Sequence, residues 1–173
     1  MNQEQLASFI RDIPDFPKPG IIFKDITPLL RSPEALAEAC KLLSDPFRDS
    51  GVTAVAAIES RGFIFGSVVA QNLGAGFVPI RKPNKLPYAR RRHEYVLEYG
   101  SDALEIHDDA LNANDRVLVV DDLLATGGTV SAATHLIRGF DATLVGIATV
   151  IELEFLGARQ KLDGVNVHSI LRY

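Results

Sequence analysis

The sequence predicts an α/β fold in which a mostly parallel central sheet is flanked by helices. Short apolar runs with strand character alternate along the chain with segments whose apolar residues recur at helical spacing. Polar segments directly follow three of the predicted strands, at 59–62, 81–94 and 121–129. Ligands of parallel α/β sheets bind at the carboxyl ends of the strands, so these segments are expected to share one site.

The bulk properties are those of an ordinary globular enzyme or binding domain. A chain of 173 residues suits one domain, 1–173, and its net charge of −4 argues against a protein that coats nucleic acid. No apolar run approaches the roughly 20 residues that span a bilayer, and the polar, acidic start differs from a signal peptide. The single cysteine, Cys40, excludes an intrachain disulfide, so a cytoplasmic location is expected.

Local patterns predict the elements in chain order. Residues 3–12 carry an amphipathic helical pattern, and prolines exclude regular structure from 14–20. Ser32 and Pro33 are typical of a helix start, here of a helix that runs to about residue 45. Strands are expected at 53–58, 77–81, 116–121, 143–151 and near 166–171, further helices at 63–73 and 128–138, and a hairpin that pairs 95–99 with 104–107.

The most specific motif spans residues 117–129. An apolar strand ends in two adjacent carboxylates, Asp121 and Asp122, and a glycine-rich turn at 125–129 then opens a helical pattern. Such a turn at a helix N-terminus binds phosphate, because backbone N–H groups point outward and the helix dipole favours an anion. The carboxylates would repel phosphate but suit hydroxyls or a divalent cation. The motif therefore predicts a sugar-phosphate ligand.

Two basic segments extend this interpretation. Arg61 follows a strand and precedes a helix, which suits a phosphate clamp, although a surface pair with Glu59 is an equal alternative. The segment 82–94 lacks apolar periodicity and is expected to be a loop with a local positive field. A long polar loop in a compact domain often acts as a lid, and a solvated loop or a nucleic-acid contact is the alternative. Arg81 lies immediately before this segment, and the cations within the segment are Lys82, Lys85, Arg90, Arg91 and Arg92.

Other catalytic patterns are scarce. Glu98, just beyond the basic segment, is a candidate general acid or base, although an isolated strand glutamate is more often structural. The four histidines and one cysteine lack the spacing of zinc ligands. Neither the P-loop pattern nor the dinucleotide-binding glycine pattern is present.

Residues 117–129 resemble the phosphoribosyl-pyrophosphate (PRPP) motif of type I phosphoribosyltransferases. Within that family the chain is most similar to the members that act on adenine, and the similarity covers nearly its whole length. Five segments resemble those enzymes in the same order and spacing, namely 16–27, 59–66, 80–87, 97–100 and 121–129. The resemblance implies a small N-terminal hood at residues 1–32, a flexible lid loop at 82–95 and a homodimer.

The resemblance also implies the reaction of adenine with PRPP to give AMP and pyrophosphate. It makes Asp121 and Asp122 ligands of the ribose 2- and 3-hydroxyls, Glu98 an acid or base near adenine N7, and Mg²⁺ a cofactor held mainly through PRPP. A non-proline cis peptide is implied at Glu59–Ser60. The 5-phosphate is assigned to Ala125, Thr126, Gly127, Gly128 and Thr129, pyrophosphate to Arg61, Arg81 and Lys85, and adenine to Ile22, Phe23, Lys24 and Leu153.

One departure and two alternatives remain at the level of sequence. Residues 88–94 replace a segment that usually contains Thr and Ser in the family, and their arginines are expected to strengthen PRPP capture or to contact a partner subunit. A non-catalytic PRPP sensor would be expected to carry an added DNA-binding domain, for which there is no room before Asp25. An enzyme of the same class acting on a 6-oxopurine is not excluded by physical reasoning alone.

Overall fold

The computed structural model describes residues 1–96 and 101–173. The strands are β1 Arg11–Pro14, β2 Ile22–Asp25, β3 Ala54–Ile58, β4 Gly76–Ile80, β5 Arg90–Val96, β6 Ser101–His107, β7 Arg116–Leu124, β8 Thr143–Glu152 and β9 Val167–Arg172. The central sheet holds five parallel strands in the order β4-β3-β7-β8-β9, and two antiparallel pairs, β1–β2 and β5–β6, lie outside that sheet. The α-helices are α1 Gln3–Ala7, α2 Thr27–Arg31, α3 Pro33–Ser44, α4 Gly62–Leu73 and α5 Gly128–Arg138.

Both faces of the sheet are buried, which confirms the predicted α/β class. Successive residues of β7 point to opposite faces. Val117 and Val119 join a core with α5 and the β5–β6 hairpin, whereas Leu118 and Val120 join a core with α3 and α4. Strands buried on both faces lack polar alternation, which explains the continuous apolar runs of the sequence.

The helices next to the sheet begin and end at residues that the local sequence favours. The Ser32 hydroxyl accepts a hydrogen bond from the Ala35 N–H at 3.2 Å, and Pro33 occupies the first turn of α3. Helix α4 ends at Gly74, whose φ of 64° places it in the left-handed region. The helices predicted at 63–73 and 128–138 are confirmed to within a residue at each end.

The N-terminal segment differs from the prediction. The first helix ends at Ala7, and β1 pairs with β2 in a register that sets Arg11 opposite Asp25. The Arg11–Asp25 ion pair closes at 2.6 Å and the Lys24–Asp12 pair at 2.7 Å. The helical pattern of 3–12 was therefore misleading, because cross-strand pairing with a later segment overrides local periodicity. Helix α2 was also not predicted.

The basic segment differs as well. Residues 90–94 were expected in a loop and 95–99 in a strand paired with 104–107, but β5 begins at Arg90 and pairs with β6 from Arg90↔His107 to Val96↔Ser101. Residues 104–107 therefore pair with 90–93, and residues 97–100 lie outside the described part of the chain. Ion pairs accompany this strand: Arg90 Nε lies 3.0 Å from Glu105 Oε2, and Arg91 Nε lies 2.8 Å from Asp108 Oδ1. A strand docked through its charged groups carries little apolar periodicity, so the pattern resembled a loop.

Within 1–96 and 101–173, no helix has both the length and the apolar composition needed to cross a bilayer.

Acidification should lower the melting temperature through two histidines. Burial lowers the pKa of His93, as does the neighbouring His135, and burial likewise lowers the pKa of His168 despite its hydrogen bond to the Leu42 carbonyl. Since both native pKa values lie below the unfolded value, the unfolded chain binds protons first as the pH falls through about 6.5. Stability present above that pH is lost below it. We expect Tm to fall by a few degrees between pH 7.5 and 5.5, measured by calorimetry.

A double variant isolates this histidine contribution. His93→Gln combined with His168→Gln removes both groups, so its Tm should depend less on pH over the same interval than that of the parent. Equal pH dependence in the two proteins would contradict the assignment.

Candidate functional site

A cavity of about 440 Å³ opens at the carboxyl ends of β3 and β7. This position is where ligands of parallel α/β sheets bind. The cavity brings together the turn after β3, the end of β7 and the N-terminus of α5, so two of the three predicted polar segments line it and the third contributes Lys82. Its lining residues are Ile58, Glu59, Ser60, Arg61, Lys82 and all residues from 121 to 130.

The carboxylate pair is buried within this cavity. Asp121 and Asp122 are only 8% and 6% exposed, and the Asp122 N–H donates to Asp121 Oδ1 at 2.9 Å. Burial raises the pKa of Asp121 well above its usual range, and the nearby Asp122 charge raises it further. Burial also raises the pKa of Asp122, while the guanidinium of Arg61 opposes that shift. Two buried like charges favour a ligand that brings hydroxyl donors or positive charge.

Arg61 is positioned against this pair by the start of α4. Its Nε lies 2.8 Å from Asp122 Oδ2, and its guanidinium lies 5.5 Å from the ring centroid of Phe23. The next residue must be small: a Cβ on Gly62 would lie 2.9 Å from Asp121 Oδ1 and 3.0 Å from the Val120 carbonyl oxygen. The glycine therefore allows the N-terminus of α4 to approach the carboxylates.

The glycine-rich turn 125–129 forms another part of the cavity wall. Gly127 has a φ of 81°, and a Cβ there would lie 3.1 Å from the carbonyl oxygen of Ala158, so only glycine fits without strain. Helix α5 starts at Gly128 and directs the positive end of its dipole at the turn. Thr126 and Thr129 add hydroxyls to the same wall. This arrangement suits a phosphate group.

The predicted pyrophosphate residues do not all line the cavity. Arg61 does, whereas Arg81 and Lys85 are not among its lining residues. Arg81 Nε donates to Glu59 Oε2 at 3.1 Å, and Arg81 Nη1 donates to the Lys85 carbonyl oxygen at 3.1 Å. Arg81 therefore reaches the site through Glu59, which does line it. The Glu59–Ser60 peptide is cis, as the resemblance implied.

A second cavity of about 440 Å³ adjoins the first, and Thr126 lines both. Its walls are mostly apolar and include Ile22, Lys24 and Leu153, three of the residues predicted to meet adenine. Phe23 is not among the lining residues; its ring packs edge-on against Phe16, with centroids 5.3 Å apart. The full lining is Gly20, Ile21, Ile22, Lys24, Thr126, Leu153, Phe155, Leu156 and Tyr173. An apolar slot next to a polar cavity suits a flat heterocycle joined to a sugar phosphate.

The three consecutive arginines of β5 make contacts with other residues of the same chain. Arg91 donates to the Gly139 carbonyl at the end of α5, and its guanidinium lies 3.8 Å from the ring centroid of Phe140. Arg92 pairs with Glu94 at 2.8 Å, and Arg90 pairs with the buried Glu105. Arg91 thus attaches the hairpin to the end of α5, whereas the pairs of Arg90 and Arg92 lie within the hairpin, and the sequence interpretation missed these roles.

Several cavity residues were not singled out from sequence, and one candidate lies outside the described residues. Glu98 falls within 97–100, so its position is not described. Lys82 lines the first cavity and Tyr173 the second. Lys82 belonged to the basic cluster and its position after β4 was a usable signal, whereas nothing local marks the last residue of the chain as part of a site.

Comparisons with known proteins agree with this geometry. The family model "Phosphoribosyl transferase domain" matches residues 25–164. The chain is 54% identical over 170 residues to an adenine phosphoribosyltransferase of Nitrosococcus oceani, covering 98% of this chain and 99% of the relative. A crystal structure of adenine phosphoribosyltransferase from Thermoanaerobacter pseudethanolicus superposes with a TM-score of 0.96 at 46% identity, covering 99% and 100% of the two chains.

A third comparison involves a structure with ligands. The enzyme from Saccharomyces cerevisiae, complexed with D-2,5-dideoxy-2,5-imino-altritol 1,6-bisphosphate and adenine, has a TM-score of 0.91 at 39% identity and 98% coverage of both chains. The family match, the near-complete coverage of the relatives and the two joined cavities all indicate the same family. The chain belongs to the phosphoribosyltransferase family and, within it, to the adenine phosphoribosyltransferases.

Proposed function

We propose that this enzyme transfers the phosphoribosyl group of PRPP to adenine, giving AMP and pyrophosphate, with the two joined cavities as its active site. The observation that carries the proposal is their junction at Thr126: a polar cavity with a phosphate turn meets an apolar slot. A ribose at this junction has its phosphate on one side and a base on the other. The structure of the yeast relative holds a bisphosphate together with adenine, which supports a site for both kinds of ligand.

In this proposal the 5-phosphate binds the turn 125–129, and the ribose hydroxyls bind the carboxylate pair. Hydroxyl donors satisfy Asp121 and Asp122, which are buried and acceptor-only when ionised. Arg61, whose Nε lies 2.8 Å from Asp122 Oδ2 and whose side chain is 40% exposed, binds the pyrophosphate beside the ribose in this proposal. Arg81 and Lys85 act from the rim beyond Glu59, whose carboxylate holds Arg81.

The residues present fit a Mg²⁺ ion that is held mainly through PRPP. Among residues 1–96 and 101–173, no group of three His, Cys, Asp or Glu side chains forms a metal site. Asp121 and Asp122 supply hard oxygen donors, and Mg²⁺ in proteins is often bound by one or two carboxylates together with substrate phosphates. When bound, Mg²⁺ neutralises the charge that develops on the pyrophosphate leaving group.

The chain's own residues stabilise the transition state through charge and orientation. As pyrophosphate leaves, the anomeric carbon gains positive charge, and the buried carboxylates beside the ribose favour that charge. Adenine lies in the slot beside Leu153, and the backbone atoms of Ile22 and Lys24 on β2 meet its edge. Phe23, whose ring centroid lies 5.5 Å from the Arg61 guanidinium, packs on the base opposite Leu153 in this proposal. Glu98 remains our candidate acid or base for adenine N7. We also propose that the active assembly is a homodimer, which is the state that the resemblance to the family implies.

A product assay tests the proposal directly. Purified protein is incubated with PRPP and Mg²⁺ and with adenine, hypoxanthine or guanine in turn, and nucleotides are separated by chromatography. We expect AMP with adenine and at least 100-fold less product with either 6-oxopurine, because a polar mismatch leaves buried groups unpaired. IMP or GMP as the main product would contradict the assignment of adenine. Binding of PRPP without any product would favour a sensor.

A further inference from the structure

We propose that Tyr95 is a positioning residue for PRPP, acting through its phenol oxygen on Lys82 and Thr129. This inference deepens the proposed function and depends on it. Lys82 and Thr129 both line the polar cavity, although they are 47 positions apart in the chain. Tyr95 itself is buried behind them on strand β5, where it is 9% exposed. Neither Tyr95 nor Lys82 was among the residues assigned to substrate from sequence.

The phenol oxygen of Tyr95 joins three polar groups. Lys82 Nζ donates to it at 2.9 Å, Thr129 Oγ1 lies 3.3 Å away, and the phenol lies 3.2 Å from Asp102 Oδ2. Lys82 also forms an ion pair with Asp102. The oxygen thus links an ammonium from the segment after β4 to a hydroxyl in the first turn of α5.

The ring of Tyr95 supports the same turn by packing. A Cβ placed on Gly128 would lie 3.6 Å from Tyr95 Cδ2, so the ring lies directly behind the phosphate turn. Tyr95 belongs to the core formed with α5 and β6. A phenylalanine would fill the same volume, so the ring accounts for packing and the hydroxyl for the polar contacts.

Alternate residues of β5 hold this arrangement along the length of α5. Arg91 contacts Gly139 and Phe140 at the end of the helix, and His93 stacks on His135, with ring centroids 3.8 Å apart. Tyr95 continues the same face of the strand to Thr129 at the helix start. The strand is therefore fixed at three points before it reaches the cavity, which gives the phenol a defined position.

The consequence is a preorganised pair of PRPP contacts. Without the phenol, the Lys82 ammonium loses the hydrogen bond that holds it beside Thr129, and keeps its ion pair with Asp102 and its contact with the face of the ring, 5.5 Å from the centroid. Thr129 likewise loses the bond that orients its hydroxyl. Both losses weaken PRPP binding, whereas the adenine slot shares no residue with this cluster.

Tyr95→Phe tests the proposal, with Tyr88→Phe as the matched control. Tyr88 lies on the same segment and is 60% exposed, so its variant makes the same chemical change away from the cavity. We expect the KM for PRPP to rise roughly three- to tenfold in Tyr95→Phe, the scale of one or two hydrogen bonds. The KM for adenine and kcat should change less than twofold, and Tm by no more than a few degrees.

A double variant and a binding measurement separate the possible outcomes. On a Lys82→Met background, Tyr95→Phe should raise the KM for PRPP by a smaller factor, because one of its two targets is gone. Calorimetric titration with PRPP alone should show the same loss of affinity, so the inference is tested even if the parent protein forms no AMP. A PRPP affinity equal to that of Tyr88→Phe, or a KM increase shared equally by adenine, would overturn it.

Discussion

Asp122→Asn should reduce kcat/KM for PRPP roughly 10- to 100-fold while leaving the fold intact. The substitution keeps the shape of the side chain but replaces one acceptor oxygen with a donor amide, so a ribose hydroxyl loses a charge-assisted hydrogen bond of about 1.5–3 kcal/mol. Negative charge near the anomeric carbon is lost as well. Steady-state kinetics with PRPP varied at saturating adenine measures the effect.

Stability should be preserved in this variant for a reason that the structure makes explicit. Burial raises the pKa of Asp122, which means that the folded environment disfavours its charge, and a neutral amide avoids that cost. Arg61 loses its ion pair, but its side chain is 40% exposed and water replaces the carboxylate. Asp109→Asn is the matched control, because Asp109 is exposed and lies outside the cavity. A kcat/KM within twofold of the parent would refute the ribose-binding role.

The sheet and the main polar cavity were predictable because their signals are local and agree with one another. The apolar run 117–120 is buried on both faces, and the carboxylates follow at the strand's carboxyl end, where parallel topology places ligands. The glycine of the turn has a left-handed φ that its residue type had suggested. Each of these features depends on neighbours within a few positions in the chain.

The missed features depend on partners far away in sequence. Strand β1 exists because it pairs with β2, and β5 exists because its arginines meet Glu105, Asp108 and the end of α5. Lys82 is held at the cavity by Tyr95 and Asp102, which lie too far along the chain for a local sequence pattern to reveal the contact. Charged strands are difficult to predict because their stabilising contacts are ion pairs, which leave no hydrophobic period.

Tyr173 illustrates the same limit at the base slot. Tyr173 lines that cavity because it follows β9, which runs beside β8. The Lys24 ammonium lies 3.9 Å from the centroid of the Tyr173 ring. Burial and the nearby Asp12 charge raise the pKa of its phenol. No residue near Tyr173 in the chain indicates this neighbourhood, since it is created by sheet order.

Gly66→Ala should destabilise the protein by about 1–3 kcal/mol, the usual cost of overpacking a core. A Cβ on Gly66 would lie only 2.4 Å from the Cβ of Ala57, a residue of β3 with no exposed surface. Helix α4 and the strand must therefore move apart. For a chain of this size that corresponds to a Tm decrease of roughly 2–12 °C, which calorimetry resolves.

Transferring the methyl group tests whether this one contact is responsible. Ala57→Gly removes the opposing Cβ, so the double variant Ala57→Gly with Gly66→Ala should be more stable than the sum of the single effects predicts. Gly76→Ala is the control, because a Cβ there meets only the Thr53 carbonyl oxygen at 3.7 Å and Tm should hardly change. Additive single effects would place the strain elsewhere.

The same variant connects packing to the site. Helix α4 begins at Gly62, beside Asp121, and Arg61 immediately precedes it, so the Gly66–Ala57 contact sets how closely Arg61 approaches the carboxylates. If α4 moves outward, Arg61 moves with it, and the KM for PRPP should rise in Gly66→Ala at temperatures well below its Tm. The methyl transfer should restore affinity together with stability. Recovery of Tm without recovery of KM would show that helix position and PRPP binding are separable.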